Sequence, residues 1–292
     1  MPLPQSLGPT SHSFVSQRLR LNYLDWGNTQ APTLILIHGG RDHARSWDQV
    51  AQALREDWHI ICPDLRGHGD SAWSPDGAYT MPYFICDLAQ LIHQQSDAPV
   101  TIVAHSLGGA ISLRYAGLYP ERVRKLVAIE GLGLSSAETG MSVGKSFGTL
   151  WRDWIEKQRK LATRQPRRYA SVEEALARMQ GENAHLTETQ ARHLTIHGVA
   201  RNEDGSFSWK FDDYVQPGPP VDISPAELYA LWGNITCPIL LCHGQDSWAE
   251  NPLETGLTAH FHNASVQTFE NAGHWLHHDQ LDRFIAALRA FL

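Results

Sequence analysis

Residues 104–109 read AHSLGG and place a serine where it can act as a nucleophile. An apolar run, VTIVAHS (100–106), leads into it, and a helical pattern, LGGAISLRYAGLYP, leaves it. A strand that turns tightly into a helix lifts the Ser106 hydroxyl above a sheet, next to the helix N-terminus; this is a nucleophile elbow. The pattern expected there is G-x-S-x-G. Ala104 stands at its first glycine and Gly108 at its last. The backbone N–H of Leu107 would then point at the oxygen of a tetrahedral intermediate. A second donor is expected from HGG (38–40), at the end of another apolar run: the N–H of Gly40 first, that of Arg41 next. Two preorganised N–H groups of this kind contribute several kcal/mol of transition-state stabilisation.

These groups need a rigid frame, and the hydrophobic pattern supplies one. Residues 14–17 and 19–24 alternate and read as an antiparallel pair. Then apolar strands at 33–40, 58–64, 100–106 and 123–131 alternate with helical stretches. Those stretches are SWDQVAQALRED (46–57), a run from Thr80 as cap toward Gln95, and residues 107–120. This rhythm predicts an α/β fold, a mostly parallel, doubly wound sheet with helices on both faces. It stops near Gly133. Residues 134–223 carry helical patterns and no convincing strand series, with QPGPPVDISP (216–225) as a linker back. A strand at CPILLCHG (237–244), a helix at NPLETGLTAH (251–260), a strand at SVQTFEN (265–271) and a closing amphipathic helix resume it. The chain therefore divides into a core, 1–133 and 224–292, and a helical cap, 134–223, inserted over the carboxyl edge of the sheet.

HGG, PDLRGHGDS (63–71), AHSLGG and NAGHWLHHD (271–279), in that order and spacing, resemble the α/β-hydrolase fold family. The resemblance covers nearly all of the chain except the insertion. It implies that His274 is the base, taking the Ser106 proton at Nε2 and returning it to the leaving group. It gives PDLRGHGDS a structural role, so Asp64 and Arg66 carry no chemistry. His105 and His38 are expected to line the site or to satisfy backbone groups. His277, His278 and Asp279 fall at a helix start, where capping and solvation are expected and no metal.

The acid that orients His274 has two candidates. Most members of the resembled family place it after the strand that follows the insertion, in G-x-x-D. Here Gly244 is followed by Gln245, Asp246 and Ser247, so Ser247 holds the third place and Asp246 comes one early. One residue of shift at a strand end turns a side chain to the opposite side. Glu130, in VAIEGLG (127–133), matches instead the place of the acid in a subset of the family. That subset includes some haloalkane dehalogenases and a fungal-toxin lactone hydrolase. Glu130 also ends an apolar strand, where a carboxylate is costly to bury without a partner. We expect Glu130 as the acid and keep Asp246 as the alternative.

Composition narrows the rest. The 292 residues are 42% hydrophobic, enough for a packed core, and the net charge of −7 argues against a nucleic-acid partner. The first residues lack the pattern of a signal peptide, and no apolar run reaches the ~18 residues of a membrane span. The four cysteines, at 62, 86, 237 and 242, form no C-x-x-C pair and read as free thiols. A cytoplasmic setting is expected. GLGLSS (131–136) is a broken nucleotide fingerprint, no P-loop is present, and no cofactor is implied. A serine at 106 excludes aspartyl-ester chemistry. The expected reaction is acyl transfer to Ser106 and hydrolysis of a small to medium carboxylic ester, thioester or lactone. His105 and Arg41 are expected at the substrate, and Trp151, Trp154, Phe147 and Trp209 are the candidate cap residues for the acyl pocket. Carbon–carbon bond hydrolysis on the same residues, or ligand binding without turnover, are the readings from other classes.

Overall fold

The computed structural model describes residues 8–132, 145–215 and 222–292. Strands β1 (Thr10–Ser16) and β2 (Leu19–Asp25) pair antiparallel in the register Phe14↔Leu21. The central strands follow: β3 (Thr33–Ile37), β4 (His59–Pro63), β5 (Val100–His105) and β6 (Val123–Ile129). Their connections are the helices α1 (Asp48–Leu54), α2 (Met81–Gln95) and α3 (Leu107–Leu118). Thr80 precedes α2 as expected, but its side chain makes no capping hydrogen bond; Pro82 in the first turn sets the start.

Between β6 and the next core elements lie α4 (Phe147–Ala162), α5 (Val172–Glu182) and α6 (Glu188–Gly198). Then comes a short antiparallel hairpin, β7 (Val199–Arg201) with β8 (Phe207–Trp209). The hairpin corrects the all-helical expectation for this stretch. At three residues per strand it is too short for alternation to show. The expected start of the insertion, at 134, lies outside the described residues, as do most of GLGLSS and most of the expected linker at 216–225.

The core resumes with α7 (Pro225–Gly233), which the linker reading concealed. Its signal was legible: Ser224 and Glu227 form a reciprocal capping box, with Pro225 at the first helical position. Strand β9 (Ile239–Gly244) follows. The helix expected at 251–260 is only one turn, α8 (Pro252–Thr255), because Gly256 takes a left-handed conformation at φ +72° and ends it. Strand β10 (Ala264–Phe269), a turn α9 (Leu276–Asp279) and α10 (Leu281–Phe291) complete the chain.

The sheet runs β1-β2-β4-β3-β5-β6-β9-β10, parallel from β4 onward. Both its faces are covered. One apolar cluster joins Ile35, Ile102, Leu126 and Leu241 to Phe84, Ile111 and Trp232; the other joins Leu34, Leu36, Val103 and Cys242 to Trp47, Leu54 and Phe284. Strands buried on both faces explain the unbroken apolar runs. Cys62, Cys237 and Cys242 are buried free thiols, and Cys86 is exposed. No described helix is long and apolar enough to cross a membrane.

Candidate active site

Ser106 follows the last residue of β5 and caps α3 with φ +49° and ψ −113°. A β-carbon makes this conformation strained, and the surroundings hold it. The Ser106 N–H donates to Ile129 O at 2.8 Å, and its carbonyl accepts the Ala110 N–H at 3.0 Å. The turn closes only because α3 can approach β6. A β-carbon on Gly109 would lie 2.6 Å from Gly131 Cα. We therefore expect Gly109→Ala to cost about 1–3 kcal/mol through overpacking against backbone. A lower denaturant midpoint with an unchanged m-value would check it.

Glu130 ends the neighbouring strand in the same way, with φ +47°. Its N–H donates to Cys242 O at 3.0 Å, which aligns the ends of β5, β6 and β9. Its side chain is fully buried, and donors surround the carboxylate. Oε1 accepts the Gly244 N–H at 2.9 Å; Oε2 accepts the Ser247 hydroxyl at 2.6 Å and the Nδ1–H of His274. His243 Nδ1 lies 3.4 Å from Oε1 without forming a hydrogen bond. A buried charge is tolerable only when paired and hydrogen-bonded, and here it is both.

Asp246 is exposed, and its N–H donates to Ala272 O at 2.9 Å. The turn that follows β9 sends Ser247 inward to Glu130 instead. The residue at the acid's more common place thus hydrogen-bonds the carboxylate that ends the neighbouring strand.

His274 lies in the loop after β10. The Gly273 N–H donates to Asp279 Oδ2 at 2.8 Å, so Asp279 does brace the loop. Gly244 allows the loop to pass, since a β-carbon there would meet Gly273 O at 2.3 Å. The His274 carbonyl accepts Nε2–H of His105 at 2.9 Å. His105 is 1% exposed and lines neither cavity beside Ser106, which corrects its expected place at the substrate. It holds the loop that carries His274 through that carbonyl. His277 and His278 are also buried rather than solvated: His277 stacks on Trp47 at 4.8 Å and contacts His105 at 4.6 Å. Their short helix turns inward, which the polar run HHD does not signal.

The loop 38–43 is built as rigidly. His38 Nε2 accepts the Leu65 N–H at 3.0 Å, so its proton is on Nδ1 and donates to Gly39 O at 2.7 Å. Asp64 accepts the N–H groups of Ala44 and Asp70 and the Asn22 amide, and Arg66 pairs bidentately with Asp87. Both are structural, as expected.

Burial lowers the pKa of His38, His68 and His278 to about 3, and it lowers His43, His105 and His277 as well. A histidine whose folded pKa lies below its unfolded value of about 6.5 binds protons more readily when unfolded. Acid therefore unfolds the protein in the window below that value. Asp42, pushed up to about 7 by burial, opposes this between 7 and its unfolded range, as do Asp64 and Asp279, also raised mainly by burial. The histidines outnumber them. The expected result is a Tm that falls steadily from pH 6.5 to 4, checked by calorimetry across that range.

Two lobes of one cleft meet at Ser106. The first, about 230 Å³, is mostly apolar, with Met81, Leu107, Ala128, Leu241 and Leu257 in its wall. The second, about 490 Å³, is more polar; Gly40, Arg41, Asn183, Trp209, His274 and Trp275 line it. Ser106, Leu107 and Trp248 border both. Gly40, Arg41 and Leu107 thus stand beside Ser106 as expected. Trp151 and Trp154 line neither lobe: α4 turns the stripe Phe147, Trp151 and Ile155 to solvent, and Trp154 is half-buried with its ring 5.8 Å from that of Trp151. Trp209, which was also expected at the pocket, does line the second lobe, together with Trp248 and Trp275. Trp248 escaped the sequence reading; it is 72% exposed, and its ring packs on His274 at 4.6 Å.

A serine on a strained strand-to-helix turn over a parallel sheet, lining one cavity with a histidine that holds a buried carboxylate, is the layout of a serine hydrolase. The model of the alpha/beta hydrolase family matches residues 34–287, and the chain belongs to that family. Among curated proteins it is 25% identical to Esterase Rv0045c of Mycobacterium tuberculosis, over 93% of this chain and 86% of that one. It is 27% identical to a serine hydrolase-like protein of Danio rerio over 64% of this chain, a match spanning 57% of that relative. Among solved structures, the thioesterase domain from the curacin biosynthetic pathway superposes with a TM-score of 0.81 at 20% identity, covering 97% of this chain and all of that one. The protein is a hydrolase.

Proposed function

We propose that the protein hydrolyses carboxylic esters, thioesters or lactones of small to medium size through an acyl-enzyme on Ser106. The observation that carries this reading is the Glu130 carboxylate on His274 Nδ1, buried and held by Ser247 and Gly244. A carboxylate there keeps the proton on Nδ1 and leaves Nε2 as the base. His274 then takes the Ser106 proton as the hydroxyl attacks the carbonyl. The backbone N–H groups of Leu107 and Gly40 receive the oxyanion. His274 returns the proton to the leaving group, and water repeats the sequence on the acyl-enzyme. The apolar lobe suits the acyl chain, and the polar lobe with Arg41 suits the leaving group. The relation to a named esterase supports ester bonds as the target.

A panel of aryl esters, thioesters, lactones and β-diketones tests the proposal. Turnover of esters or lactones, with acyl-length preference cut off by the small lobe, is the expected result. Turnover of diketones alone would replace the proposal with carbon–carbon cleavage.

A further inference from the structure

Outside this cleft, three side chains converge where the 145–215 region meets the core. Asp48 opens α1, and His193 and His197 lie one turn apart on α6. One ligand atom of each lies within 4.8 Å of one from each of the others. Spacing of i, i+4 puts both imidazoles on one helix face, as in helical metal-binding pairs.

Asp48 is 8% exposed, and its two oxygens differ. Oδ2 accepts Arg45 Nε–H at 2.7 Å and lies 3.3 Å from His193 Nε2. Oδ1 is buried and has no partner. A buried acceptor without a donor needs explanation, and a cation is one. Arg45 on the other oxygen fixes the carboxylate, as outer partners of metal-binding carboxylates do. Two effects oppose an ion: His193 Nε2 already donates to Arg45 O at 3.1 Å, so His193 must give up that bond or bind through Nδ1, and the Arg45 guanidinium repels a cation. Two imidazoles and one carboxylate are the donor set of a borderline transition ion, whereas Ca²⁺ and Mg²⁺ prefer oxygen alone.

We propose that Asp48, His193 and His197 form a site for a divalent transition-metal ion, Zn²⁺ above all, that pins α6 onto the core. The pin would sit next to an existing tie: His43 Nε2–H donates to Leu194 O at 2.9 Å, from the loop that carries Gly40 and Arg41.

The full chain, stripped with chelator, is titrated with ZnCl₂ by calorimetry and by thermal unfolding. The expected result is one ion per chain and a Tm that rises with Zn²⁺. His197→Gln weakens binding by at least roughly tenfold, since even loss of an outer partner costs that much. It abolishes the Tm rise and leaves metal-free ester turnover unchanged. His193→Gln serves as the second variant, with folding of both checked by circular dichroism. His274→Ala keeps the same stoichiometry, which separates this site from the catalytic histidine. Absence of a stoichiometric ion, wild-type binding in both α6 variants, or loss of the ion with His274→Ala would overturn the proposal.

Discussion

Glu130→Gln lowers kcat on a short aryl ester by about 10³–10⁴-fold, the scale seen when a triad acid becomes an amide. The amide offers an N–H where the carboxylate accepted one, so His274 Nδ1 loses its preferred partner and the tautomer with a free Nε2 is no longer favoured. The change also leaves the Ser247 hydroxyl and the Gly244 N–H with a weaker acceptor in a buried site. Asp246→Asn changes kcat by less than about threefold, because an exposed side chain away from His274 contributes little to its field. The reverse pattern would move the acid back to β9 and make Glu130 structural. Circular dichroism and Tm on both variants separate lost chemistry from lost fold.

Ser106→Ala lowers kcat further, by about 10⁶-fold, leaving only what the oxyanion donors and binding supply. Removing the hydroxyl leaves the backbone of the elbow in place, and alanine is accommodated at φ +49° no worse than serine. The Ser106→Ala, Glu130→Gln double variant should be no slower than Ser106→Ala alone. Groups that act as one unit do not add, and Glu130 acts only through His274 on that hydroxyl. Steady-state kinetics of the single and double variants, on the substrate that the panel finds best, checks this. Independent losses would mean that Glu130 serves something other than the serine.

Much of the site was legible because its signals are local. AHSLGG sits between an apolar strand and a helix, and that context alone assigns a turn with an exposed hydroxyl. The two candidate carboxylates were separable by register: Asp246 comes one residue early after Gly244 and is exposed, whereas Glu130, at the end of an apolar strand, meets His274 Nδ1. What was illegible depends on contacts between distant segments. Trp248 lies in an irregular loop, and only the fold brings its ring against His274. His105 neighbours Ser106 in sequence, yet alternation along β5 sends it under the sheet edge, to the His274 carbonyl. Trp151 and Trp154 show helical spacing, which tells that they share a face but not what that face meets. The hairpin of β7 and β8 is too short for periodicity. By contrast, α7 was missed although its capping box was in plain view, because Gly218 and the prolines at 217, 219 and 220 drew the reading toward a linker.

The most direct test of a covalent mechanism on Ser106 is to treat the wild type with one equivalent of an alkyl fluorophosphonate, measure the intact mass and map the adduct. One adduct per chain, on the peptide that contains Ser106, is the predicted result; Ser106→Ala gains none, and Glu130→Gln reacts more slowly. An unmodified wild type, or an adduct on another residue that persists in Ser106→Ala, would contradict the account.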